Sequence, residues 1–354
     1  MRTRPRLIDV ARLAGVSTAT VSAVINDNLG PNIRVSPETR QKVLDAIASL
    51  GYVANPAARN LAGGQNRLLG IFTYEAIFPI KFHDFYYPFL LGIEEEAEAQ
   101  RYNLLLFTSV VDQDGRRSIF HNDTNVLWMA DGAVLMGLNE NKLELSRLQK
   151  EGYPFVFVGR REVPDVEISF SAADYISATE TLTTLLFQAG HRRLVYFCMT
   201  HDIESGRDRE VGFRRAHEQN GIPLAGPGVI RIHPEDITPE VVEPLLSDGI
   251  TGAITENDDL LHYLMVALES LGLSVPEHFS LALLGDPHNP WPEVARMTRF
   301  SIPRREMGIH AVRFLIQRLE HPEEVAVQNV YLPCTILHGQ SIAAPNLPAI
   351  FHRR

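Results

Sequence analysis

Side chains capable of catalysis are present in this chain, but their spacing matches none of the usual catalytic arrangements. The 13 histidines are scattered without metal-ligand spacing, and His217-Glu218 lacks the second histidine of an H-E-x-x-H site. There is no G-x-x-x-x-G-K-[ST] phosphate loop, no G-x-G-x-x-G after a strand and no G-x-S-x-G elbow. Cys198 and Cys334 stand 136 positions apart and form no C-x-x-C pair, which argues against a disulfide scaffold or a zinc ribbon and fits a reducing cytoplasm. The sequence therefore predicts no catalysis, no cofactor and no metal.

The chemistry that the residues do support is electrostatic. The 354-residue chain carries a net charge of −10, which on its face opposes contact with nucleic acid. Its distribution reverses that conclusion for one end. Residues 1–67 hold nine Lys/Arg against four acids, a net +5, while the rest holds 24 basic and 39 acidic residues, a net −15. A basic head able to neutralise phosphates precedes an acidic body that phosphates would repel.

Short helices must position the basic head. Leu7, Ile8, Val10, Ala11 and Ala14 recur at helical spacing until Gly15 stops them. Ser17 then reads as the N-cap of a second helix, Thr18 to about Asn26, with Val21, Val24 and Ile25 on one face and Thr18, Ala19, Ser22 and Ala23 on another. Ser36-Pro37-Glu38 starts a third helix, Val43, Leu44, Ile47 and Leu50 form its apolar stripe, and Gly51 ends it. Two short helices joined at Ala14-Gly15-Val16 make a helix-turn-helix.

The stretch IDVARLAGVSTATVSAVIN, followed by VSPETRQKVLDAIASLGYVANPAARNLAGG, resembles the headpiece of the LacI family of transcription repressors. The resemblance implies that the second helix enters the major groove of operator DNA. The DNA-contacting positions it carries over are Thr18, Ala19, Thr20, Ser22, Ala23 and Asn26; Arg34, in the following loop, is either a further phosphate contact or a solvated loop charge. It also implies a hinge at Asn55–Gly63 that becomes helical on the operator, with Asn55, Arg59, Leu61 and Ala62 at the DNA and Leu61 wedged into the minor groove. Two departures stand out. Ala23 replaces the arginine usual in the family, and the loop DNLGPNIR is longer than the family norm.

From Leu68 onward the pattern changes to buried-strand runs alternating with helical stretches: LLGIFT, a helix near Phe89 to Arg101, NLLLFTS, GAVLMG and FVFVG. The rhythm restarts with helix ISATETLTTLLFQAG, strand RRLVYFCM, helix REVGFRRAHEQNG, strand GAITE, helix DLLHYLMVALESLG and strand FSLALLG. GHRRLVYF, SGRDREVGFRRA and TENDDLL extend the resemblance over essentially the whole chain. The expected fold class is an N-terminal all-α helix-turn-helix headpiece plus an α/β two-lobed periplasmic-binding-protein-like core with parallel sheets. The expected domains are a headpiece at 1–54, hinge and linker at 55–67, and an effector-binding and dimerisation core at 68–354.

Family positions also suggest the effector site. Phe85 and Tyr86 fall where the first lobe lines the cleft, and their rings could stack on a sugar or base. Arg209, three residues before Gly212-Phe213, matches an arginine that forks onto ligand hydroxyls or a carboxylate, and Ser205 precedes it on the same rim. Asn257 opens the helix facing the cleft, with Asp258 beside it as a helix cap. Relatives carry G-[FY]-D-D after the next strand; here LLGDP puts Gly285 at the first aspartate and Asp286 at the second, and Trp291, soon after, is either a further stacking surface or a buried core tryptophan.

The resulting expectation is a homodimeric, cytoplasmic, ligand-regulated repressor whose partners are operator DNA and a small molecule, a sugar or sugar derivative. A solute-binding protein of a transport system is the alternative. It would need a signal peptide, and MRTRPRLIDVARLAG has no apolar core for one. No run of 18 apolar residues predicts a membrane span, and the tail SIAAPNLPAIFHRR has no leucine heptad for a coiled-coil tetramer.

Overall fold

The computed structural model describes residues 5–25, 35–52, 66–75, 80–108, 116–288, 291–323 and 326–348, except the side chains of 80–84. Asn26, Arg34, Asn55, Arg59, Leu61 and Ala62, and with them the hinge expectation, lie outside the described residues. The chain divides into two compact units, Met1–Leu68 with Trp128–Asp131, and Leu69–Leu127 with Gly132–Arg354.

In the first unit, α1 spans Leu7–Ala14, α2 Thr18–Ile25 and α3 Pro37–Leu50. The Arg6 N–H donates to Asp9 Oδ2 at 2.8 Å, tying an acid to the positive end of α1. The Ser17 hydroxyl accepts the Thr20 N–H at 3.1 Å, and the Ser36 hydroxyl accepts the Thr39 N–H at 3.2 Å, so both serines satisfy an orphan donor of the first turn. Gly15 and Gly51 end α1 and α3 in the left-handed region, at φ 66° and 59°. Val10, Val21, Val24 and Val43 close a small core, each contributing roughly 1.5–3 kcal/mol by burial.

The second unit holds two lobes. Lobe 1 is built on β1 (Leu68–Thr73), β2 (Asn103–Phe107), β5 (Gly132–Met136), β6 (Phe155–Val158), β7 (Phe170–Ala173) and β13 (Asn329–Leu332), in the order β13-β7-β6-β5-β1-β2. A two-residue hairpin, β3 (Phe120–His121) and β4 (Thr124–Asn125), lies outside that sheet. Lobe 2 uses β8 (Leu194–Cys198), β9 (Val229–Arg231), β10 (Gly252–Thr255), β11 (Ser280–Leu283), β12 (Thr298–Ser301) and β14 (Thr335–Leu337), in the order β14-β12-β11-β10-β8-β9. The pairings β1–β5, β5–β6, β6–β7 and β7–β13 are parallel, as are those of β8 through β12, whereas β14 joins β12 antiparallel.

The helices of lobe 1 are α4 (Ile80–Ala99) and α5 (Lys142–Lys150), and those of lobe 2 are α6 (Tyr175–Gln188), α7 (Glu204–Gln219), α8 (Pro239–Ser247) and α9 (Asp258–Ser270). The last helix, α10 (Arg304–Glu320), follows β12 of lobe 2 yet packs on α4, β5, β6 and β7 of lobe 1. The chain thus crosses between lobes three times, after β7, β12 and β13. Glycine permits the α4–α10 contact: a Cβ on Gly92 would stand 1.9 Å from the Arg305 carbonyl oxygen, and one on Gly308 2.4 Å from that of Phe89.

The α4 helix corrects the expectation of a helix near Phe89 to Arg101, because it begins at Ile80 and carries Pro88 inside. Helices α5, α8 and α10 and strand β7 had no counterpart in the sequence pattern. Among the described residues no single helix is long and apolar enough to cross a membrane.

Candidate functional site

Parallel strands leave their carboxyl ends free, and in open α/β sheets ligands bind outside those ends. Both sheets of the second unit follow this rule around one cavity of about 270 Å³. Its wall includes Gly137 and Leu138 after β5, Gly159–Arg161 after β6, Met199 and His201 after β8, Glu256 and Asn257 after β10, and His288 after β11.

Five of the seven expected effector residues line this cavity: Phe85, Tyr86, Ser205, Arg209 and Asn257. Phe85 lies edge-on to Tyr86, with centroids 4.9 Å apart, and meets the His288 ring of the opposite lobe at 5.3 Å. The Tyr86 hydroxyl is already engaged, donating to Glu75 Oε2 at 2.7 Å, while Glu75 Oε1 accepts the Leu138 and Asn139 N–H groups. Tyr86 thus offers the cleft a ring edge, not a free hydroxyl.

Arg209 is 7% exposed, lies 3.9 Å over the Tyr175 ring and donates from Nη1 to the Ser205 carbonyl at 3.1 Å. Its Nε has no hydrogen-bond partner among the described residues. Asn257 is the N-cap of α9, accepting the Leu260 N–H on Oδ1 at 2.9 Å. Asp258, expected as the cap, instead accepts from His288 twice, from Nδ1 at 2.9 Å and from the backbone N–H at 3.0 Å.

Asp286 and Trp291 are corrections, since neither lines the cavity. Asp286 is held by Arg299 at 2.5 Å, by the Ser301 hydroxyl at 3.2 Å and by the Ile302 N–H at 3.0 Å, so its oxygens anchor the crossing from β12 into α10. Trp291 packs edge-on to His262 of α9, 5.6 Å between centroids, against the lobe 2 core. Gly285 has φ +137°, a backbone conformation that an aspartate rarely adopts.

Several lining residues escaped the sequence reading. Arg160 grips Asp208 across the lobes, and Arg161 pairs with Glu140 at 2.9 Å. Lys142 of lobe 1 reaches Glu204 of lobe 2 at 2.7 Å. Burial alone would raise the Glu204 carboxyl, but Lys142, the Glu162 N–H and Arg161 hold it below its usual range; burial wins at Glu140, whose carboxyl is raised. Glu256 accepts the Met199 N–H on Oε2 at 2.8 Å. The signal that would have found Arg160, Arg161 and Glu256 was position alone, immediately after a buried strand.

In the headpiece, Thr18 and Ala19 are exposed and Thr20 and Ser22 half-buried. The Thr20 hydroxyl shares a 2.9 Å hydrogen bond with that of Ser17. Ala23 is another correction: at 6% exposed it is withdrawn from the face expected to meet base edges.

A helix-turn-helix head on a two-lobed, cleft-bearing α/β core defines a DNA-binding transcription regulator of the ligand-responsive type. The chain belongs to the LacI family: residues 6–55 match the lacI family of bacterial regulatory proteins, and residues 183–342 match the periplasmic binding protein-like domain. It is 29% identical to catabolite control protein A of Priestia megaterium, over 95% of this chain and 98% of that protein. It is 27% identical to the transcriptional regulator GalR of Escherichia coli K12, over 97% of each. The fold matches the lac repressor dimer bound to operator and the anti-inducer ONPF, with TM-score 0.68, 21% identity, and coverage of 97% of this chain and 100% of that one. It also matches the CelR–cellobiose complex, with TM-score 0.60, 24% identity, and coverage of 96% and 100%.

Proposed function

We propose that this chain acts as a homodimeric repressor whose affinity for operator DNA is set by a sugar or sugar derivative bound between the two core lobes. The observation that carries the reading is the cleft itself. Strand ends of both lobes enclose one cavity, and Arg209, buried in its wall, keeps its Nε donor without an acceptor among the described residues. An unmade hydrogen bond at a buried donor costs about 1–3 kcal/mol, so such a group is retained where a ligand satisfies it.

Thr18, Ala19 and Ser22 are the headpiece side chains assigned to base edges, and the basic residues of 1–67 to phosphates. Leu61 is assigned to the minor groove on the sequence resemblance. Two half-sites call for two headpieces, and the operator-bound relative is a dimer. Tyr87 and Leu91 on α4, and Tyr263 and Val266 on α9, are exposed apolar side chains suited to such an interface. The sugar assignment is supported by the cellobiose in CelR and by the mix of aromatic faces, donors and acceptors around the cleft.

A thermal-shift screen of sugars, sugar acids and nucleobases against the full chain tests the reading. A ligand at 100 times its Kd adds about 2.7 kcal/mol to the folded state. Operator affinity measured with and without the hit should then differ by roughly 5- to 150-fold. A hit that stabilises the chain and leaves operator affinity untouched contradicts the proposed control.

A further inference from the structure

A single carboxylate fastens the chain where it enters β1. Asp131 Oδ1 accepts the Asn66 N–H at 2.9 Å, and its Oδ2 accepts the Leu68 N–H at 3.1 Å. The Leu68 carbonyl returns the contact by accepting the Asp131 N–H at 2.8 Å. Both bonds to the carboxylate are charge-assisted, and an uncharged side chain of the same size offers only one oxygen for the pair. Arg67, between the two donors, has φ +50°, in the left-handed region that a residue with a Cβ rarely keeps unless its surroundings impose it. The clasp on either side of it supplies that constraint.

The carboxylate is itself held in place. Asp131 directly precedes β5 and Leu68 opens β1, and these strands pair in parallel from Leu69↔Gly132 to Thr73↔Met136. The turn before Asp131, Val126–Met129, is pinned twice at Leu127. The Tyr153 hydroxyl donates to the Leu127 carbonyl at 2.7 Å, and Asn125 Oδ1 accepts the Leu127 N–H at 2.9 Å. Tyr153 and Leu127 are fully buried. Neither side of the clasp can shift without opening the sheet, so the direction in which the backbone leaves β1 is fixed at Arg67.

The helix-turn-helix and the linker expected at 55–67 all precede β1 in the chain, which makes this joint their root. A change in one backbone angle at the root of a lever displaces its far end most. A dimer reads two half-sites at a set separation only if both levers leave their cores at a set angle. We infer that Asp131 is a positioning residue for operator recognition: by clasping Asn66 and Leu68 around Arg67 it fixes the exit of each linker, and with it the half-site spacing that the dimer accepts. The inference rests on the reading of the chain as a homodimeric repressor.

The test uses the full-length protein and a duplex that the wild-type chain selects from a random pool, with copies of that duplex whose half-sites are moved apart by one and by two base pairs. The wild type should prefer the selected spacing by roughly 10- to 100-fold. Asp131→Ala should cut that preference to about 3-fold or less, and Asp131→Asn, which keeps one acceptor oxygen, should retain part of it. The ratio is the readout, because removing an acid strengthens every duplex alike through charge and a loss of folded protein weakens every duplex alike. Hydrogen exchange of the wild type without DNA, resolved to single amides, stands alone if a variant fails to fold: Asn66 and Leu68 should exchange at least about 10-fold slower than in an unfolded chain. Unprotected amides there, or a spacing preference that survives Asp131→Ala, overturn the inference and leave the repressor reading intact. A wild-type chain that selects no paired half-sites, or shows no spacing preference, takes the two-half-site reading down with it.

Discussion

Arg160 of lobe 1 holds Asp208 of lobe 2 in a two-point grip, Nη2 to Oδ1 at 2.7 Å and Nε to Oδ2 at 3.1 Å. Both groups are mostly buried, and the pair spans the cleft in which the effector is proposed to sit. Asp208→Asn would keep the shape and remove the charge. The core should lose about 1–2 kcal/mol, less than a fully buried pair because Arg160 retains solvent contact. Urea unfolding measures this, and an unchanged midpoint would mean the grip contributes nothing to closing the lobes.

Gly308→Ala should be far more damaging than its size suggests, since the new methyl would stand 2.4 Å from the Phe89 carbonyl oxygen where α10 meets α4. Overpacking of this kind costs about 1–3 kcal/mol or more. Gly51→Ala meets nothing within 4 Å and suffers only from its φ of +59°, about 1 kcal/mol. Calorimetric melting of both variants decides: equal losses would contradict the close α4–α10 approach.

Two buried rings make the core sensitive to mild acid. His191 donates from Nε2 to the Ala343 carbonyl at 2.9 Å, so its Nδ1 accepts the Thr251 hydroxyl at 2.7 Å, and His217 meets the Ile222 carbonyl at 2.9 Å. Burial lowers the pKa of both below 6.5. The unfolded chain therefore takes up protons first, so their stabilisation is full above about pH 6.5 and declines as pH falls toward the folded pKa. The melting temperature should drop between pH 7 and pH 5, and His191→Gln should flatten that drop. An identical slope in the variant would remove His191 from the account.

Leu61→Ser should lose most specific operator affinity while effector binding in the core persists, because a serine cannot replace the apolar burial that offsets unstacking a base step. Footprinting and calorimetry on the same preparation check the two halves. Operator binding at wild-type strength would show that this hinge does not intercalate.

Much of the fold was legible because its signals are local. Ser17, Ser36, Gly15 and Gly51 mark helix ends through hydrogen bonds within four residues, and strands such as LLGIFT and FVFVG are dominated by apolar residues because both sheet faces are covered. α10 was not legible, since its partners lie more than 200 positions earlier on α4. Strand β7, FSAA, is short and carries no apolar run. In the site, Arg209 stood out by its motif, but Arg160 and Asp208 meet over 48 positions and Glu256 lies in a strand-end loop, where sequence alone shows a charge and not what it faces.

The most direct test of the account is a titration of operator DNA with the full-length protein at 50 and 200 mM salt, with and without the ligand that raises its melting temperature. The account predicts protection of two related half-sites, a fall of roughly 10³-fold or more in affinity across that salt range, and a further change of at least about 5-fold on adding ligand. Affinity indifferent to both salt and ligand would contradict it.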